Sequence, residues 1–450
     1  MRTSKLSLLA LTFASNAIIL AACSSSTIDY GGDTDSGEPA TEDSGKDGTT
    51  ADSGSNDDAT MGDDATTGDS SMSDTGSDAH DAAVTDAHLD AHDAADATIP
   101  ITDAGSVDAA WSLDGGDAAA TAIPDIWVVR AGATGSGTAL SGTSAATFID
   151  RFSPAGVLLG TIALPTAVSG GNKQFSLSGA STSEGYINRS VDTHYVTLAG
   201  YAADVGTASV SGTAAATVPR VIARIDAAMA IDTTTTLGTA YTAGNVRSAV
   251  TTDGTVFWTG GNSGTASANG IQYVVLGGSG LTQVAAVNGR VASIYGAQLY
   301  ATCGTAANAG INSVGTGLPT TAATLTHVTG FTSALTASAY AFVALDLNSA
   351  IAGVDTIYLA DDDGTTGGIQ RWQFVGATWV KGATFTDGVT AIPAHGLTGL
   401  VTGGSVTLFA TLADGRLVKL VDNGATTATV TTLSTAGTNT GFRGVAFAPQ

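Results

Sequence analysis

Three arginines share a register. Arg247, Arg290 and Arg443 each stand six residues before a turn position, at Asp253, Gly296 and Pro449, and each lies near the start of a short apolar run. A guanidinium is a planar, permanently charged fork that grips a carboxylate or similar anion through two parallel hydrogen bonds. If the three runs lie side by side, the arginines converge, and the cluster suits an acidic glycan or a small anionic ligand. The alternative is that they brace the fold, paired with main-chain carbonyls or with nearby carboxylates such as Asp361, Asp362 and Asp363.

Other reactive residue types are sparse. Asp361-Asp362-Asp363-Gly364 offers the oxygen atoms that Ca²⁺ requires, although a solvated turn explains it as well. Cys303 reads as a small buried hydrophobe, because a nucleophilic thiol needs an activating base and no spacing supplies one. His194, His327 and His395 fall in different repeats and could meet only at a common axis. Glu184 is the sole Glu after residue 120, whereas glycoside hydrolysis uses a carboxylate pair. Asp253-Gly254-Thr255-Val256-Phe257-Trp258 has a loose likeness to the Asp-box of sialidases, but it is not repeated. The sequence therefore assigns no catalytic residue, no metal set and no cofactor.

The elements that would position these residues follow from composition. Residues 121–450 are rich in Gly, Ala, Thr, Val and Ser, and hold 16 acids and 13 bases. Short alternating runs broken by Gly predict an all-β fold. Trp127, Tyr195, Phe257, Tyr300, Tyr358 and Phe409 mark one recurring strand, at intervals of 68, 62, 43, 58 and 51 residues. That period suits one four-stranded sheet per repeat. In the clearest repeat the strands fall at 246–252, 255–259, 271–276 and 281–286; similar sets span 185–237, 290–328, 340–385 and 396–433. Two pieces are left over. Phe442–Phe447 reads as a lone first strand, and Ile126–Ala131, Phe148–Phe152 and Val157–Leu164 as strands two to four. Together they complete one sheet, which is how a β-propeller closes and removes its open edges. The expected architecture is six four-stranded blades, closed by pairing of the C-terminal strand with the N-terminal blade; seven is the alternative, because the intervals are uneven. The loops Gly132–Thr147, Ala202–Val218, Gly260–Gly270 and Asp361–Gly368 then share a face with the first-strand arginines.

The chain here resembles secreted bacterial β-propeller-like proteins of uncharacterised activity. The likeness is carried by Ser183-Glu184-Gly185-Tyr186 with Tyr195–Tyr201, by Gly353–Asp362 with Gly367-Gly368-Ile369-Gln370, and by Phe442-Arg443-Gly444-Val445-Ala446. It implies the fold and a secreted setting, and transfers no chemistry.

The N-terminal quarter supplies an address. Residues 1–22 carry Arg2 and Lys5, no acid, and an apolar run from Leu6 to Leu20 that is too short and interrupted to span a bilayer. The run ends in Leu20-Ala21-Ala22-Cys23, which resembles the lipobox of bacterial lipoproteins. The resemblance implies removal of the signal, acylation of Cys23 and anchorage to membrane lipid; several acyl chains exceed the two-signal threshold for stable binding. Ser24 rather than Asp after the Cys implies the outer membrane. Residues 23–120 hold 24 acids and one base, Lys46. They are too polar to offset chain entropy, and the segment reads as a disordered, self-repelling tether. Asp-Ala-His recurs at residues 78, 86 and 90, and Asp33–Gly37 is similar to the start of a calcium loop. The first offers competent metal ligands, although low-complexity drift explains it as well, and the second lacks its distal Glu.

No basic stripe is offered to phosphates, so nucleic-acid binding is disfavoured. The expected function is a lipid-anchored cell-envelope module that binds a glycan, a small anionic ligand or a protein. A propeller enzyme with an axial site, hydrolytic or cofactor-dependent, and a structural envelope protein are the alternatives. Cys23→Ala is expected to abolish palmitate labelling and to shift the chain from the membrane pellet to the soluble fraction; a labelled variant would refute the lipobox.

Overall fold

Phe257 and Trp258 are adjacent in the chain, yet both are buried. Side chains alternate across a strand, so this strand must be covered on both faces. Phe257 packs with Tyr201 and Ile222 on one side, and Trp258 with Ala292 and Leu299 on the other. Strands of this kind stack as sheets face to face, and the structure repeats the arrangement around a ring. The structure, a computed structural model, describes residues 122–450 except 305, 333, 337 and 388–390. The signal, Cys23 and the acidic tether lie outside the described residues.

Among the described residues the regular backbone consists of twenty-five strands and three short 3-10 turns. The first blade takes β1 (Ile126–Ala131), β2 (Ser144–Phe152) and β3 (Leu158–Ala163). A short strand, β4 (Ser176–Ser178), precedes the second blade, which is β5 (Ile187–Arg189), β6 (Tyr195–Tyr201), β7 (Arg220–Asp226) and β8 (Ile231–Asp232). The third is β9 (Val246–Val250), β10 (Val256–Gly261), β11 (Gly270–Val275) and β12 (Thr282–Ala285). The fourth is β13 (Gly289–Tyr295), β14 (Gln298–Cys303), β15 (Gly310–Val314) and β16 (Leu325–His327). The fifth is β17 (Ala339–Leu345), β18 (Thr356–Asp361), β19 (Gly368–Val375) and β20 (Thr378–Phe385). The sixth is β21 (Ala394–Thr402), β22 (Ser405–Leu412), β23 (Arg416–Asp422) and β24 (Val430–Thr435). The last strand, β25 (Gly441–Phe447), returns to the first blade.

β25 pairs antiparallel with β1, matching Ile126 to Phe447, Trp127 to Ala446 and Val128 to Val445, with a bulge before Arg130 meets Phe442. The protein is thus a six-bladed β-propeller, with the C-terminal strand as the innermost strand of the N-terminal blade. Each of the six aromatics of the repeat lies on the strand next to the innermost one. Six apolar clusters fill the joints between successive blades. The cluster between the last and first blades contains Ile126, Val128, Phe409, Phe442, Val445 and Phe447, so closing the ring buries a core of its own. Edge-to-face pairs, Phe152–Phe442 and Phe409–Phe447, stand there at 6.1 Å.

Two features depart from the pattern expected of the sequence. β4 lies in a stretch between the first and second repeats to which no strand is assigned by periodicity. It pairs with the first residues of β2 and, through Ser176 and Tyr201, with β6. The sheets of the first two blades are thereby joined into one, and Phe175 and Leu177 are buried at the junction. Cys303 is the second departure. Aligning the repeats by their aromatics sets it level with Leu198, but it ends β14 opposite Gly289, whereas Leu198 sits mid-strand opposite Ile187. Bulges in the inner strands slip the aromatic register.

Deleting residues 441–450 strips β1 of one of its two partners and the closing joint of Phe442, Val445 and Phe447. The truncated chain is expected to lose its cooperative thermal transition by near-ultraviolet circular dichroism. A transition within a few degrees of the intact chain would mean that the ring does not depend on closure.

Candidate functional site

The innermost strands of all blades begin at one end of the axis, and one residue from each forms a ring there: Tyr186, just before β5, then Arg247, Arg290, Tyr340, His395 and Arg443. Tyr186 and Tyr340 come from opposite blades and stack across the axis, with ring centroids 5.5 Å apart. The Arg290 guanidinium lies 4.3 Å from the Tyr340 ring centroid, and the His395 ring 5.2 Å from it on an edge. The axis is therefore filled at this level. Immediately beyond, small residues let the strands touch. A Cβ on Gly444 would meet the Ile187 nitrogen at 2.5 Å and the Gly185 oxygen at 2.6 Å, so only glycine fits between these two strands.

The three arginines of the sequence motif do converge at this end, but their donors are engaged by the protein. Arg247 Nη1 donates to Asn288 Oδ1 at 2.5 Å and to the Gly289 carbonyl at 2.8 Å. Arg290 Nη1 donates to Ser338 Oγ and the Ala339 carbonyl, both at 3.0 Å. Arg443 donates to the carbonyls of Gly179 at 2.8 Å and Phe442 at 3.2 Å. Gly289 and Ala339 open the next inner strands, so each guanidinium of the first pair clamps its blade to the following one. Arg220, which no spacing in the sequence singles out, does the same from β7, donating to the carbonyls of Ser211, Val218 and Gly244. Charge-assisted bonds of this kind contribute about 1.5–3 kcal/mol each.

The expected carboxylate partners go elsewhere. Asp361 accepts the main-chain N–H groups of Ser338 and Asp363 and the Gln370 amide. Asp362 Oδ1 lies 2.7 Å from His395 Nε2, off the line of a well-formed hydrogen bond. Asp363 caps its own turn by accepting from Thr365 and Thr366. Among the described residues no three His, Cys, Asp or Glu side chains are grouped closely enough to hold a metal ion. Of the described histidines only His395 reaches the axis; His194 pairs with Asp192, and His327 contacts the Ala309 carbonyl. Cys303 is buried, and that burial pushes its thiol up to about 12.

Glu184 is buried beside the ring. It accepts from Tyr201 Oη at 2.6 Å, Asn245 Nδ2 at 2.7 Å and the Ser178 N–H at 2.9 Å. Burial raises its pKa despite these three donors.

The far half of the axis is open. Three residues beyond the ring, the inner strands contribute Arg189, Val250, Ser293, Val343, Thr398 and Ala446, which belong to the wall of a cavity of about 330 Å³. Tyr186 closes its inner end, and Val191, Thr193 and Gly296 of the hairpin turns mark its rim. The cavity thus faces away from the long loops on which the sequence suggests a ligand. No side chain announces it in the sequence, since it arises where several inner strands carry small or apolar residues at the same level. Arg189, the last residue of β5, is the one charged side chain among the described residues of its wall.

No family model matches the chain, and no curated protein matches it in sequence. Solved structures of similar outline exist. A chain of a nidogen/laminin complex aligns with 72% of this chain and 98% of its own length, at 10% identity and a TM-score of 0.36. The periplasmic gluconolactonase of Pseudomonas aeruginosa aligns over 69% and 83%, at 12% identity and 0.35. An auxiliary nutrient binding protein from Bacteroides ovatus aligns over 64% and 71%, at 11% identity and 0.35. Likeness at this level assigns the chain neither substrate nor partner.

Glu184 yields a pH prediction. A carboxyl whose folded-state pKa is raised stabilises the fold when protonated; the gain is complete below 4.5 and is lost as pH rises through the raised value. Glu184→Gln removes this term. The melting temperature of the native chain minus that of the variant is therefore expected to grow as pH falls from neutrality to about 4.5. A constant or shrinking difference would show that Glu184 does not bind its proton more tightly in the fold.

Proposed function

We propose that the chain is a lipid-anchored binding module of the bacterial cell envelope, held from the membrane by acylated Cys23 and the acidic tether. The observation that carries this reading is the blind axial cavity. The ring of Tyr186, Arg247, Arg290, Tyr340, His395 and Arg443 stops the axis at one end and leaves a cup at the other. A preformed concavity of about 300 Å³ is at the lower end of small-ligand sites.

Hydrolytic chemistry finds less support in this cup. Its described lining is made of aliphatic and aromatic side chains, hydroxyls, the Asn188 amide and Arg189, with no carboxylate, imidazole or thiol. General-base catalysis needs a group of suitable pKa within hydrogen-bond reach. The membrane link rests on the lipobox, since no described helix is long and apolar enough to cross a bilayer.

The test combines glycan arrays with thermal-shift screening of small anions on purified protein. Saturable binding of an unchanged compound is expected. Turnover of a bound compound would replace this reading with the enzymatic one, and absence of any binding across both screens would favour a structural envelope protein.

A further inference from the structure

Arg189 is an unpartnered cation in the wall of the axial cup. Every other arginine at the axis donates to a carbonyl or a side-chain oxygen of the protein. The Arg189 side chain makes no hydrogen bond or ion pair among the described residues, and its guanidinium lies 5.7 Å from the Phe447 ring centroid. It is half-buried, and burial lowers its pKa from the usual arginine value with no carboxylate to offset that cost. A charge withdrawn from water favours an opposite charge nearby, and the described wall of the cup offers this guanidinium none.

Its surroundings define what would complete it. Ser293 and Thr398 stand at the same level on other blades, and neither hydroxyl bonds to a described residue. Ile187, Val291, Phe342, Leu397 and Val445 give the wall apolar surface, alongside the polar groups of Asn188, Ser190, Thr193 and Tyr295. There is one positive charge, and neither a second cation nor a helix N-terminus that would favour a dianion such as phosphate. A cavity of about 330 Å³ has the volume of roughly ten waters, enough for a small organic molecule and too little for a long acyl chain or an oligosaccharide.

We propose that the axial cup takes a small monocarboxylate with an apolar body, its carboxylate received by Arg189 with Ser293 and Thr398, and its hydrocarbon part lying against the inner strands. This deepens the binding-module reading and rests on it. The structure-wide bracing by Arg247, Arg290 and Arg443 is separate, since those residues hold blades together from the closed end.

The test uses full-length protein in detergent, titrated calorimetrically with hexanoate and phenylacetate. Hexanamide, succinate, inorganic phosphate and palmitate serve as comparison probes. Both monocarboxylates are expected to bind at a single site, with the neutral amide, the dianions and the long chain at least about tenfold weaker, as loss of a charge-assisted bond predicts. Arg189→Gln is expected to weaken monocarboxylate binding by about ten- to a hundredfold. Because the Arg189 side chain makes no hydrogen bond or ion pair among the described residues, the variant should melt within a few degrees of the native chain, which separates loss of the site from loss of the fold. Monocarboxylate binding unchanged in Arg189→Gln, or binding of hexanamide as tight as hexanoate, would overturn the assignment. If the monocarboxylates fail while a glycan or another anion binds in the wider screen, this inference falls and the binding-module reading stands. If nothing binds in either, both fall.

Discussion

Closure of the ring through β1 and β25 is the constraint on which the remaining geometry depends. An open sheet edge is a row of unpaired N–H and C=O groups, and a stack of wedge-shaped sheets offers one such mismatch wherever it fails to meet itself. Here the first and last strands share one sheet, so the final joint is sealed by the same ladder that builds every blade. The six inner strands are then fixed at one level around the axis. That common level brings Tyr186 against Tyr340 from opposite blades and sets Arg189, Ser293 and Thr398 together in one cavity wall.

The blade count was legible because each of these strands is buried on both faces. Trp127, Tyr195, Phe257, Tyr300, Tyr358 and Phe409 recur in nearly continuous apolar runs, and such runs require a neighbour on either side. The return of Phe442–Phe447 was legible because the first repeat lacked a strand and the last carried one too many. β4 was not, since three residues around Leu177 carry too little alternation to stand out from a loop. The convergence of the arginines could be read from their spacing; their partners could not, because a main-chain carbonyl has no sequence identity. The cavity was equally silent. It is made of what six distant segments leave unfilled, and only the ring specifies which residues share a level.

The two groups of axial arginines illustrate how one residue type serves opposite ends. Arg247, Arg290 and Arg443 are satisfied by oxygens of the chain itself, which turns a costly buried charge into a clamp between blades. Two of them are nearly inaccessible, and the third lies over the Tyr340 ring. Arg371 plays a comparable part farther out, where Asp422 accepts from both Arg371 and Tyr358 in a buried network that ties the fifth blade to the sixth. Among the arginines at the axis, Arg189 alone has no oxygen of the described residues to hold.

The small splice made by β4 bears on how such a wheel comes into being. A polypeptide leaves a ribosome or a translocation pore from its N-terminus, and β1 must then wait for a partner that lies more than three hundred residues downstream. At ordinary rates of elongation that delay is on the order of tens of seconds. By bridging β2 to β6, the splice lets the opening blade dock against its successor before the final strand exists. It moors the first blade to the second, while the edge of β1 stays open until β25 arrives.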